Sequence, residues 1–181
     1  MTTTAVGPAN GTLTLHTGVE GRAARMGHAL TIAVGDWEAT AFLDGDVLSS
    51  FELRARLGSL LVLTGEGGLK PLSDKDRAAI RDNALETLRA DSHPDVVFTS
   101  TSVSSTDGGY DVAGDLSVSG RSRPASTRLQ VRESDGRLRV TGEVAVVQTE
   151  HGITPYSSMM GGLKVRDRVD VRVDVSLPQP G

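Results

Sequence analysis

The chain carries four histidines, side chains that can ligate metals or act as general bases near neutral pH. They are His16, His28, His93 and His151, and no two stand at the His-x-His or His-x-x-x-His spacing of a metal site. There is no cysteine, which excludes disulfides, thiolate metal sites and a cysteine nucleophile. The sequence therefore predicts no metal site.

The remaining candidates for chemistry also have simpler interpretations. The Gly-rich segment 65–70 resembles a phosphate-binding loop, but Lys70 is followed by Pro71 rather than by Ser or Thr and a helix. No serine stands in a Gly-x-Ser-x-Gly elbow. Carboxylates such as Glu143 and Glu150 have no spacing that brings them together. The sequence predicts a protein without a catalytic site, and a hydrolase or isomerase of a lipidic substrate is the lesser alternative.

Composition limits the partners. The 181 residues carry a formal charge of −4 and the pI is near 5.5, which argues against nucleic acid as the partner. Residues 1–8 lack the basic start and apolar run of a signal peptide, and no stretch approaches the roughly 20 apolar residues of a membrane span. We expect a cytoplasmic protein with a flexible tail over residues 1–10, one domain over 11–177 and a second flexible tail over 178–181.

Short runs of alternating polarity dominate the chain and predict antiparallel strands with one dry face. The clearest run covers 169–177, where Val or Leu at every odd position alternates with Asp, Arg or Ser. Two more runs, 110–118 and 138–146, each follow a turn that contains Asp-Gly, which is a strong hairpin signal. Shorter candidates bring the total to about nine strands, at the spacing of a sandwich or barrel. They cover residues 13–15, 28–34, 37–43, 51–57, 96–103 and 127–132.

One segment has helical periodicity. Ser73 is a suitable N-cap, and the acidic residues that follow it suit the positive end of a helix. Ile80, Ala84 and Leu88 then form one apolar face. The pattern predicts a helix of about four turns that ends at His93-Pro94 and lies across a sheet or closes one end of a barrel.

The apolar strand faces allow two interiors. Two packed sheets would fill the interior with side chains, whereas a barrel of about eight strands can surround one small ligand. Aromatic residues make up only 3% of the chain, and medium-sized aliphatic residues can pack tightly or leave a tunnel. Met159 and Met160 beside two glycines fit either an adaptable mouth for an apolar guest or a loop packed on the core.

A motif in the second half of the chain favours one of these interiors. The residues Pro94-x-x-x-Phe98-x-Ser100, the glycine–leucine–glycine run of Gly114, Leu116 and Gly120, and a following Pro124 resemble the YceI-like family. The segments Gly27-His28-x-Leu30-x-Ile32 and Lys164-Val165-Arg166-Asp167 resemble the shorter form of the family seen in actinobacteria. The likeness runs in order from about Gly11 to Leu177. Residues 148–151 differ from the arginine and aromatic residue that the family commonly carries there, and residues 12–16 replace its early tryptophan motif.

The resemblance implies an all-β, lipocalin-like, extended antiparallel barrel of about eight strands with one helix, often homodimeric, that holds a polyisoprenoid chain. The expected function is binding of an isoprenoid or other long-chain lipid, such as an isoprenoid quinone, by a carrier or sequestration protein with no other cofactor. The alternative is a structural or interaction barrel with a filled core. Polarity alternation predicts the ligand-binding side chains, with the two methionines near the mouth. They are Leu30, Ile32, Phe51, Leu53, Phe98, Val112, Leu116, Val140, Val144, Val146, Met159, Met160, Val171 and Val173.

Overall fold

The alternating runs form strands. A computed structural model describes residues 1–178, and every predicted run lies within an observed strand except at Leu57, the last residue of the run 51–57, which begins a 3-10 turn. Residues 169–177, for example, belong to a strand that spans Arg168–Pro178. The strands are β1 (Thr2–Val6), β2 (Gly11–His16), β3 (Val19–Glu20), β4 (His28–Val34), β5 (Trp37–Asp44), β6 (Val47–Arg56), β7 (Leu60–Gly67), β8 (Asp95–Thr106), β9 (Gly109–Val118), β10 (Arg121–Ser134), β11 (Arg137–Val147), β12 (Ser157–Ser158), β13 (Leu163–Val165) and β14 (Arg168–Pro178).

Eleven of these strands form one antiparallel sheet in the order β1-β5-β6-β8-β9-β10-β11-β14-β2-β4-β7. The sheet curls into a lipocalin-like barrel, as predicted, but it has more than the eight strands expected. A second sheet of three short strands, in the order β12-β13-β3, lies at one end. Among residues 1–178 the edge strands β1 and β7 are not paired with each other, so the barrel has an open seam.

Strands β3, β7, β12 and β13 are not predicted from the sequence, because they either do not alternate in polarity or are very short. In β7, Leu61 and Leu63 are 59% and 41% exposed, so apolar residues occupy both faces and hide the period of two. The strands β3, β12 and β13 have only two or three residues each. A pattern that repeats every two residues cannot identify strands of that length.

Both segments predicted as tails contain strand residues. Thr2–Val6 forms β1, which pairs with β5 from Thr2 opposite Leu43 to Val6 opposite Ala39. Threonine favours extended backbone because it is branched at Cβ, and a polar strand is suited to the edge of a sheet. At the other end, Pro178 is the last residue of β14, and residues 179–181 of the predicted tail lie outside the described residues.

The single α-helix of residues 1–178, α1, spans Asp74–Thr87. Its start is as predicted, because Ser73 and Asp76 form a reciprocal capping box. Its end comes earlier than His93-Pro94. Arg89 has a φ of 53°, and the amides of Arg89 and Ala90 donate to the carbonyls of Glu86 and Leu85, which closes the helix.

The helix C-terminus is anchored to the β9–β10 turn, and α1 lies along β7. The Ser119 hydroxyl donates to the Leu88 carbonyl at 2.6 Å, and the Arg89 guanidinium donates to the Ser119 carbonyl at 3.0 Å. From the middle of α1, the Arg81 guanidinium donates to the Leu60 carbonyl at 2.8 Å and to the Gly58 carbonyl. These bonds hold α1 beside the edge of the sheet that β7 leaves unpaired.

The capping box gives a first testable prediction. Replacing Ser73 with Ala should lower the free energy of unfolding by about 1 kcal/mol, because the Asp76 amide loses its acceptor. Urea unfolding at neutral pH measures this change, and Lys75→Ala in the same exposed turn is the control.

The same box makes stability depend on pH. Hydrogen bonds from the Ser73 backbone and hydroxyl lower the pKa of Asp76. Its stabilising contribution is therefore present above the ordinary carboxyl pKa and is lost as the pH falls through the lowered value. Asp76→Asn should consequently lose less stability on acidification than the unsubstituted protein does. An equal loss in both proteins would contradict this assignment.

Part of the barrel interior is filled. Trp37 is 3% exposed and packs with Val34, Ala39, Ala55 and other members of the main core cluster. A second cluster of Leu48, Val112 and Leu129 fills another part of the interior. These clusters leave a space in the barrel between the sheet and α1.

Candidate ligand-binding cavity

A cavity of about 410 Å³ occupies the space between the curled sheet and α1. Its volume lies within the range of roughly 300–1,000 Å³ that small-molecule sites occupy. The wall is built mainly from leucine, valine, isoleucine and alanine side chains of the large sheet, with Phe51 and Phe98 among them. A structural or interaction barrel with a filled core should have no continuous cavity, whereas this barrel contains one.

Strand register places the wall. Val144 of β11 lies opposite Val171 of β14, and Val173 lies opposite Leu13 of β2. All four side chains line the cavity. On these strands the charged residues between them point outwards, where Arg172 pairs with Glu143 and Arg139 with Asp174. The period of two that defines the strands thus separates a dry inner face from a charged outer face.

Ten of the predicted ligand-binding side chains face this cavity. They are Leu30, Ile32, Phe51, Leu53, Phe98, Leu116, Val144, Val146, Val171 and Val173. The structure brings them together from six strands of the large sheet: β4, β6, β8, β9, β11 and β14.

The other four predicted residues lie elsewhere. Val112 is 2% exposed and belongs to the second core cluster, against which Val140 also packs. Both point inwards as predicted, but their part of the barrel is filled by side chains. Met159 and Met160 are 51% and 98% exposed and do not line the cavity. Their 3-10 turn, Met159–Gly161, holds them on the outside of the three-stranded sheet.

The helix supplies a part of the cavity wall that was not predicted from the sequence. Ile80, Asn83, Ala84, Thr87 and Leu88 line the cavity. Their spacing of three, four, seven and eight residues from Ile80 is that of one helical face. The spacing of apolar residues in the sequence predicts that α1 has one apolar face. It does not indicate whether that face contacts packed side chains or lines a cavity.

Most polar side chains in the wall are bonded to the protein itself. The Thr17 hydroxyl accepts from the Leu30 amide at 3.1 Å, and the Gln148 amide donates to the Arg166 carbonyl at 3.0 Å. Asn83, Thr87, Ser126 and Tyr156 are different, since within residues 1–178 no side-chain hydrogen bond engages any of them. The Asn83 amide therefore remains available to a guest in the cavity.

The histidines contact main-chain atoms or hydroxyl groups. His28 Nε2 lies 2.8 Å from the Lys70 carbonyl oxygen, and His151 Nδ1 lies 3.0 Å from that of Arg121. His16 is on the outer face with Nε2 2.9 Å from the Thr14 hydroxyl, and burial lowers its pKa, as does the nearby charge of Arg172. None of these three histidines is hydrogen-bonded to a carboxylate of residues 1–178.

Residues 148–151, where the chain departs from the common family pattern, form a 3-10 turn. Gln148 is 6% exposed and reaches the cavity wall. The Asp167 carboxylate accepts from the Thr149 amide at 2.8 Å and from its hydroxyl, and these bonds lower the pKa of Asp167. The turn therefore has a structural role beside the cavity.

The helices of residues 1–178 include none that combines the length and the apolar character needed to cross a membrane.

Comparison with known proteins identifies the fold. No curated protein matches the chain. The solved structures that are similar to it include BcnA of Burkholderia cenocepacia and the YCEI protein of Campylobacter jejuni. The first has a TM-score of 0.70 at 15% identity and covers 94% of this chain and 98% of its own. The second structure has a TM-score of 0.57 at 14% identity, and the match covers 83% of this chain and 85% of the Campylobacter protein.

The family assignment rests on the sequence. The family model described as the YceI-like domain matches residues 16–177, which run from the last residue of β2 into β14 and include the Pro94–Phe98–Ser100 and Gly114–Leu116–Gly120 motifs. With the lipocalin-like fold and the apolar cavity in place, this match shows that the chain belongs to the YceI-like family.

Proposed function

We propose that the protein binds an isoprenoid or another long-chain lipid, such as an isoprenoid quinone, and serves as its carrier or sequestration protein. The observation that carries this proposal is the apolar cavity of about 410 Å³, which ten inward-facing residues of the barrel and one face of α1 enclose. Family membership supports the same class of ligand. The cytoplasmic location and the homodimeric state stay predictions.

The energetics of such binding need no covalent chemistry. Each isoprene unit that leaves water for the cavity contributes roughly 2–3 kcal/mol, because it buries several apolar carbon groups. Immobilising a flexible side chain on binding costs about 0.5–1.5 kcal/mol, and we take the same cost for each isoprene unit that is fixed in the cavity. A few buried units therefore outweigh the cost of ordering the chain, and affinity should increase with chain length until the cavity is full.

A polar headgroup would find its partner on the helix. Asn83 lies in the middle of the lining face of α1, and neither its side chain nor that of Thr87 is hydrogen-bonded within the described chain. A quinone carbonyl that accepts a hydrogen bond from the Asn83 amide would satisfy a polar group inside an apolar wall. We therefore place the headgroup beside Asn83.

The experiment that tests the function is native mass spectrometry of the protein purified from its own source, followed by extraction and identification of bound lipid. We expect a long-chain apolar molecule at one per chain. Thermal-shift titration of delipidated protein with isoprenoid quinones should then raise the melting temperature, and the rise should grow with the concentration of free quinone. A protein that carries no lipid and is not stabilised by any quinone or long-chain amphiphile would refute the proposal.

The headgroup position gives a separate prediction. Asn83→Leu should weaken binding of an isoprenoid quinone roughly fivefold, because one hydrogen bond is lost. It should leave binding of squalene, a hydrocarbon without a headgroup, unchanged or improved. Tyr156→Phe is the comparison, because Tyr156 lines the cavity and is 40% exposed at the end where a mouth would lie. If only Tyr156→Phe weakens quinone binding, the headgroup lies at that end instead.

A further inference from the structure

A small layer of secondary structure covers one end of the barrel, and ligand binding in the cavity does not by itself explain its surface. Residues 18–28 and 156–168 form this entrance layer, which contains the three-stranded sheet of β3, β12 and β13 and two 3-10 turns. Backbone hydrogen bonds join its two segments: the Ala23 amide donates to the Gly162 carbonyl at 2.8 Å, and the Arg166 amide donates to the Gly18 carbonyl at 2.9 Å.

The entrance layer exposes large apolar and aromatic side chains. Met160 is 98% exposed, Met159 51%, Met26 43% and Tyr156 40%. Met159 and Met160 have φ angles of 52° and 57°, a conformation that L-residues with side chains adopt at an energetic cost. Such local strain concentrates at functional sites. Here it presents two flexible apolar side chains to the solvent.

The layer is continuous with the cavity. Met26 and Tyr156 are exposed to solvent and also line the cavity wall, as do Val19, Leu163 and Val165 behind them. Leu69, 76% exposed, lies on the neighbouring loop whose Lys70 carbonyl contacts His28. Met26 and Tyr156 therefore lie where the cavity reaches the surface, in the same layer as Met159 and Met160.

The charge of the layer is opposite to that of the whole protein. Its residues comprise five cations, two carboxylates and a net charge of +3, whereas the chain carries −4. Lys164 lies 4.0 Å from Glu20, and Arg168 pairs with Asp170. Arg22 and Arg25 are exposed, and neither forms an ion pair within the described range 1–178. A cationic surface with protruding methionines combines the two attractions by which proteins bind anionic bilayers.

We propose that the entrance layer docks on the surface of an anionic phospholipid bilayer and that lipid passes between the bilayer and the cavity at this place. The inference rests on the proposed function, because a lipid carrier must meet the membrane that supplies or receives its cargo. Arg22 and Arg25 contact the headgroups, while Met26, Met159 and Met160 enter the boundary between the headgroups and the acyl chains.

The test is flotation of the purified full chain with vesicles of phosphatidylcholine alone and of phosphatidylcholine mixed with phosphatidylglycerol in equal parts. We expect binding to the mixed vesicles only, weakening as salt is added. Arg22→Gln with Arg25→Gln should weaken it roughly tenfold or more, since two attractive charges are lost. Met159→Ser with Met160→Ser should have an effect of similar size, about tenfold, because apolar groups no longer leave water.

Matched controls lie at the other end of the barrel. Arg132→Gln near the β10–β11 turn and Val47→Ser after the β5–β6 turn change exposed residues in the same way and should leave flotation unchanged. All substituted residues are at least partly exposed, so circular dichroism melting should show intact folding. Equal binding to both vesicle types, or equal effects of the layer and control variants, would overturn the proposal.

Two further readouts distinguish this proposal from the proposed function. Native mass spectrometry that finds bound lipid in a protein that does not float with mixed vesicles would overturn docking and leave ligand binding intact. Flotation without any bound lipid would support docking and refute the carrier function. Sedimentation measures whether the protein is a dimer. If the unsubstituted protein is a dimer and the methionine variants are monomers, the layer is an interface between two copies, and docking on a bilayer is also overturned.

Discussion

Replacing both Val144 and Val171 with phenylalanine should reduce affinity for a long-chain isoprenoid quinone by at least roughly 100-fold. The two residues are directly opposite each other on β11 and β14, and both side chains line the cavity. Directly opposed residues have their Cβ atoms about 4.5–5.5 Å apart, so two benzyl groups would occupy the space that the lipid chain needs. Exclusion of even two isoprene units removes roughly 4–6 kcal/mol of favourable burial.

Thermal-shift titration of delipidated protein measures this loss. Without ligand, the double variant should unfold within about 1.5 kcal/mol of the unsubstituted protein, because the new rings occupy a space that no side chain fills. Ala145→Phe is the matched control, since Ala145 is exposed on the opposite face of β11 between Val144 and Val146. If quinone stabilises the double variant as strongly as it stabilises the control, the lipid lies outside the cavity.

The second large effect concerns folding. Gly114→Ala should destabilise the protein by about 3 kcal/mol or more, at the upper end of overpacking costs. A Cβ atom at residue 114 would lie 2.3 Å from the Thr99 carbonyl oxygen and 2.8 Å from Ser100 Cα, both of them backbone atoms. It would also lie 2.7 Å from Cζ of Phe98, whose ring covers the glycine and faces the cavity.

The local register explains why the backbone cannot yield. The β8–β9 register shifts between Ser100 and Ser102, so Thr101 is an extra residue in β8 directly beside the pair of Ser100 and Gly114. Gly114 is also paired with Ala125 of β10, so hydrogen-bonded strands constrain it on both sides. Urea unfolding measures the effect. Gly58→Ala, at a position where a Cβ atom meets nothing within 4 Å, should change stability by less than about 1 kcal/mol.

The comparison of sequence and structure shows which properties alternation can predict. Alternation identifies the face of the sheet on which a residue lies, and Val144, Val146, Val171 and Val173, which it assigns to the inner face, line the cavity. Alternation does not indicate where along the barrel axis an inward-facing residue lies. Val112 therefore points inwards but lies in a filled region, where Leu48 and Leu129 surround it.

Other differences arise from interactions that are distant in sequence. The helix ends at Thr87 because Arg89 adopts a left-handed conformation that the Ser119 turn supports, and no glycine marks this end. The place of Met159 and Met160 depends on the pairing of β13 with β3, which are far apart in the chain. The family resemblance predicted the barrel correctly because its motifs include Gly114 and Phe98, which the fold brings into contact.

The open seam between β1 and β7 has a consequence for selectivity. A barrel closed by hydrogen bonds all around has a fixed circumference, and a guest that is too wide must break ladder bonds to enter. In this protein the edge beside β7 is covered by α1, which is attached through side-chain contacts, the two Arg81 hydrogen bonds and the bonds that join its C-terminal end to the Ser119 turn. Small outward movements of the helix can therefore widen the lumen without rupturing the sheet. Guests of increasing girth should accordingly bind with gradually declining affinity, and no sharp size limit should separate those that bind from those that do not.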